Sequence, residues 1–117
     1  MLRDNMKLVG KLSIAVNDEI VQEVNNLVVT TGKNYVASRI KDATATAMSH
    51  MAIGTGSTSP AAGDTALGNE SARVALTSTT VTNADVAYVA SFGAGTGTGA
   101  ITEAGLFNSS SAGTLFC

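Results

Sequence analysis

Val74-Ala75-Leu76-Thr77-Ser78-Thr79-Thr80-Val81-Thr82-Asn83-Ala84-Asp85-Val86-Ala87-Tyr88-Val89-Ala90-Ser91-Phe92 is the stretch that decides the fold. Val74 to Val81 is rich in threonine and β-branched residues, whose side chains suit a pleated surface. Thr82-Asn83-Ala84-Asp85 has the composition of a turn. Beyond it, Val86, Tyr88, Ala90 and Phe92 alternate with Ala87, Val89 and Ser91. Alternation on both sides of a turn predicts a β-hairpin.

The same grammar recurs toward the N-terminus. Leu8, Leu12, Ile14 and Val16 share one parity and Lys7, Lys11 and Ser13 the other, the pattern of a half-buried strand. Asn17-Asp18 supplies a turn, and Ile20 to Val29 is expected to return as the second arm, with Gln22, Glu23, Asn25 and Asn26 interrupting it. Helical spacing is convincing in one place. Thr30 or Thr31 is the expected cap of a short helix over Gly32 to Asp42, with Val36 and Ile40 one turn apart on a shared face.

Met48 to Ile53 reads as a strand, and Gly54-Thr55-Gly56 with Pro60 as a loop; Leu67 to Arg73 fits either a helical turn or an extended linker. Gly93 to Gly99 is a glycine loop, Ile101 to Phe107 a strand, Asn108 to Gly113 a turn, and Thr114 to Cys117 the start of another strand. Short strands joined by turns predict a mainly β fold, an antiparallel β-sandwich with an N-terminal β-hairpin and one short α-helix. Residues 1 to 30 form the expected hairpin region and 31 to 117 the helix with the sandwich, in one compact unit.

Composition narrows the function. The 117 residues are 44% hydrophobic, 14% charged and 4% aromatic, with a formal net charge of −2. That is too apolar for a disordered tail, and it provides neither overall attraction for a phosphate backbone nor a dense basic run. Nucleic acid is not an expected partner. Arg3, Asp4 and Lys7 interrupt the hydrophobic residues of the N-terminus, so neither a signal peptide nor a membrane span is expected. The expectation is a soluble chain made in a host cytoplasm. Eleven of the sixteen charged side chains lie in residues 1 to 42. The sparse charge afterwards fits either cover by neighbouring subunits or a surface hydrated by threonine and serine.

Candidate chemistry is thin. Gly93 to Gly99 lacks the Lys-Ser/Thr and following helix of a phosphate-binding loop. His50 stands beside Ser49, with Asp42 and Asp64 as conceivable triad partners, but no Gly-x-Ser-x-Gly elbow surrounds that serine. A single histidine and the lone Cys117 are too few for a zinc site. No catalytic residue, cofactor or metal is expected. Asn69-Glu70-Ser71 and Asn108-Ser109-Ser110 match the glycosylation sequon and read as turns. Glu103 shares parity with Ile101 and Phe107, so its carboxylate is expected to face inward and require a partner. Arg73, the only cation after Lys41, is expected to contact Glu103 or Glu70, with solvated charges as the alternative.

The order of these segments resembles a known family. A helix over Thr31 to Ile40 precedes Ser49-His50-Met51-Ala52-Ile53-Gly54-Thr55-Gly56, then Asp64-Thr65-Ala66-Leu67-Gly68-Asn69-Glu70, Arg73, and Ile101-Thr102-Glu103-Ala104-Gly105-Leu106-Phe107. Over about residues 30 to 117 this resembles the N-terminal region of tail-collar fibre proteins of tailed bacteriophages. It departs from the family pattern at Thr55, where the family's loop has aspartate. The resemblance implies a non-enzymatic structural component of the virion, most simply a tail-fibre or tail attachment module. A capsid decoration protein is the alternative, and a fragment of a fibre-borne glycan depolymerase a third. It makes Gly54, Gly56, Leu67, Glu70, Arg73, Glu103, Gly105, Leu106 and Phe107 the structural motif residues. Other virion proteins of tail, baseplate or capsid are the implied partners, and a homo-oligomer, for which a trimer is favoured, the implied state. Gly105 and Phe107 are expected in the core, with Leu106 on the opposite face against a neighbour.

Overall fold

Eight elements follow one another in the computed structural model, which describes residues 7–97 and 99–117. Arg3 and Asp4, and Thr98 of the glycine loop, lie outside the described residues. The elements are β1 (Gly10–Val16), β2 (Glu19–Asn26), α1 (Thr30–Asp42), β3 (His50–Gly54), β4 (Glu70–Ala75), β5 (Ser78–Thr82), β6 (Asp85–Val89) and β7 (Glu103–Phe107). The protein is mainly β, its sheets are antiparallel, and α1 is the one helix among the described residues. Its strands form three small sheets, ordered β1-β2, β4-β3-β7 and β5-β6.

Both hairpin turns sit at the anticipated residues. Asn17 and Asp18 adopt left-handed φ of 52° and 64°, and Asn83 of 54°, conformations that short polar side chains tolerate. In the first hairpin Leu12 faces Val24 and Ser13 faces Glu23, with a bulge after Ile14. In the second, Val81 faces Val86. The long β-branched run from Val74 does not continue as one strand: β4 ends at Ala75 and β5 begins at Ser78.

The three-stranded sheet organises the core. β3 lies at its centre, where Ala52 is fully buried opposite Arg73 on β4 and Gly105 on β7. One cluster joins Ala52 and Phe107 to Val29, Leu115 and partly buried Leu67. The other joins Leu106 to Tyr35 and Met48, with Val36, Leu76, Tyr88 and Phe116 packed around them. Leu106 is therefore buried within its own chain, where contact with a neighbour was expected. The last residues add an edge to β7: Phe107 bridges Leu115, and Phe116 N–H donates to the Leu106 carbonyl at 2.9 Å.

Several boundaries differ from the sequence expectation. The helix begins at Thr30, and Val29 occupies its cap without a side-chain hydrogen bond. Thr30 N–H instead donates to the Ala62 carbonyl, and the Thr31 hydroxyl to the Leu115 carbonyl. Tertiary acceptors thus replace the anticipated capping hydroxyl. Gly32 and Tyr35 are the buried helical residues, while Ile40 is 65% exposed, so Val36 and Ile40 do not share a buried face. Leu67 to Arg73 is not a helical turn: Gly68 and Asn69 form a bend and Glu70 to Arg73 belong to β4, while Ile101 and Thr102 precede rather than belong to β7.

Candidate functional site

Two charged side chains on one face of the central sheet hold its loops in place. The register aligns Glu103, Gly105 and Phe107 on β7 with Gly54, Ala52 and His50 on β3, and Ala52 with Arg73 on β4. Alternate residues share a face, so these side chains line one surface.

Glu103 closes the β3–β4 connection. Its carboxylate accepts backbone N–H bonds from Gly56, Gly68 and Asn69, each at 2.7 Å. The Asn69 side chain bonds the Thr55 hydroxyl at 2.7 Å, and Thr55 N–H donates to the Asn69 carbonyl at 3.0 Å. Desolvation acts to raise the Glu103 pKa, but the donors from Asn69, Gly68 and Gly56 prevail and hold the carboxyl below its ordinary range. The glycines matter because the carboxylate comes so close. A Cβ on Gly54 would collide with the Asn69 carbonyl, and one on Gly56 with the Glu103 carboxylate.

Arg73 performs the complementary task with donors. Its Nε and Nη2 bind the two Glu70 oxygens at 2.9 and 2.7 Å, and its Nη1 donates to the carbonyls of Ser109 and Ala112 at 3.0 and 2.8 Å. The guanidinium lies 3.7 Å from the centre of the Phe107 ring, a cation–π geometry. Of the two contacts considered from sequence, Arg73 makes the one with Glu70, and Glu103 takes backbone donors in place of Arg73. Sequence reasoning named the residues but missed these partners, since a backbone N–H carries no residue-type signature. Leu67 packs beside Phe107 and Gly105, and Leu106 faces the other cluster.

Ser49 Oγ lies 2.8 Å from His50 Nδ1. The carboxylates considered as triad partners are engaged elsewhere: Asp42 accepts from Thr44, and Asp64 from the Ala61 N–H. Burial pushes the Cys117 thiol up to about 11, against a hydrogen bond from Asn26, leaving little thiolate at neutral pH. Among the described residues, no group of three or more His, Cys, Asp or Glu side chains is placed to hold a metal. No described helix is long and apolar enough to cross a membrane.

No family model, curated protein or solved structure matches the chain.

Proposed function

We propose that the protein is a non-enzymatic structural component of a bacteriophage virion, acting in the tail fibre or its attachment. One observation carries this reading: motif segments dispersed from Gly54 to Phe107 converge on the Glu103 and Arg73 clasps. Each segment is weak alone, but together they specify one loop-fastening arrangement. The charges are spent on internal fastening, which suits a building block.

Assembly with other virion proteins, or with further copies, belongs to the same proposal. Val16, Ile20, Val21, Val81, Val86 and Val89 are all substantially exposed on the two hairpins, and exposed apolar surface on free strands favours association. Immunogold labelling of intact particles with antibodies to this chain tests the location. Label at the tail is the expected result, label over the shell would move the protein to the decoration class, and unlabelled particles would overturn the virion reading. Glycan cleavage by the purified chain would overturn the non-enzymatic part.

A further inference from the structure

The helix α1 carries an apolar stripe that begins at Val36, partly packed on the core, and continues onto exposed Ala37 and Ile40. Lys33, Val36, Ala37, Ile40 and Lys41 recur at helical spacing and line an open groove of about 570 Å³ with Lys7 and Leu8. Three lysines frame its aliphatic floor. Strand β2 has the opposite character: Glu19 and Glu23 flank Ile20 and Val21, and Val24 follows. Asp18 adds a further negative charge at the turn.

The groove and the Glu19–Ile20 end of β2 occupy opposite ends of the hairpin. Lys7 and Leu8 precede its base, where Gly10 pairs with Asn26, whereas Glu19 pairs with Val16 beside the tip. Seven paired residues separate the ends by roughly 20 Å. A hairpin held in this ladder cannot lay its tip in its own groove.

We infer that the β1–β2 hairpin of one copy docks through its acidic, aliphatic second arm into the lysine-framed groove on α1 of the next copy. The occupant is a second copy of this chain. Charge complementarity sets the pairing, and burial of Ile20, which shares its face of the hairpin with Glu23, against Ala37 and Ile40 supplies the apolar contact. Because two different surfaces meet, the interface is head-to-tail and builds a closed ring or an open chain. The inference rests on the assembly part of the proposed function and is independent of location in a virion.

Sedimentation of the purified full chain tests it, with circular dichroism confirming that each variant folds. The wild type is expected to form an oligomer. Lys33→Glu with Lys41→Glu, or Glu19→Lys with Glu23→Lys, should abolish it, and all four changes together should restore it. Ile40→Asp should also abolish it. An oligomer that survives both charge reversals would overturn this interface while leaving assembly intact. A wild type that stays monomeric at all concentrations would overturn the interface and the assembly reading together.

Discussion

The central sheet and the N-terminal hairpin use similar aliphatic side chains to different ends. In β3 and β7, Ala52, Leu106 and Phe107 are buried, and charged residues fasten loops over the sheet. In β1 and β2, the apolar residues are half-buried or exposed, and none of them belongs to either core cluster. Strand propensity therefore creates both regions, but only one is completed by its own chain. The difference lies in what covers the strands.

Substitutions that respect this contrast should separate into stability effects and association effects. The largest loss of stability is expected from Phe107→Ala, about 3 to 5 kcal/mol, because the ring is 1% exposed. Denaturant unfolding measures it, and an unchanged midpoint would break the contrast. Arg73→Ala should follow at about 2 to 4 kcal/mol, since it releases Glu70, two loop carbonyls and the face of Phe107. Arg73→Lys should recover only part of that loss, as an ammonium cannot reproduce the fork.

Glu103→Gln should cost about 1 to 2 kcal/mol, because an amide presents one acceptor oxygen where the carboxylate presents two. The pH dependence has a definite sign. A carboxyl whose pKa is lower in the folded state stabilises fully above its unfolded value and loses that contribution as pH falls through the folded value. The gap between wild type and Glu103→Gln should therefore be full at pH 7 and close below the ordinary value of 4.5. Paired melts across that range would show it. The smallest effect is expected from Val21→Thr, within about 0.5 kcal/mol, since Val21 is 60% exposed. A large loss there would place the hairpin in the folding core.

Much of the strand pattern was legible because alternation and turn chemistry are local. Asn17-Asp18 and Asn83-Ala84 mark their turns without help from the rest of the molecule. The helix start was not legible, because Thr30 N–H finds its acceptor at Ala62, far along the chain. Glu103 illustrates the same limit. Parity placed its carboxylate inward, but its partners are peptide groups brought close by a loop whose path no local pattern records. Alternation puts Leu106 on the second face of its strand without showing what covers it, and Tyr35 and Met48, from the helix and the segment after it, cover it.

The three donors gathered by Glu103 also determine how the surface can change. Gly56 and Gly68 are held by one carboxylate, so the intervening segment starts and ends at a common anchor. Doubling the length of a flexible loop costs only about 0.6 kcal/mol when its ends are already joined. Ser57, Thr58 and Ser59 are exposed within it. Residues 57 to 60 can thus vary in length and composition with little strain on the sheet, while Ala62 keeps its bond to Thr30 N–H and Leu67 its place in the core, giving the protein a place to acquire new surface while its framework stays the same.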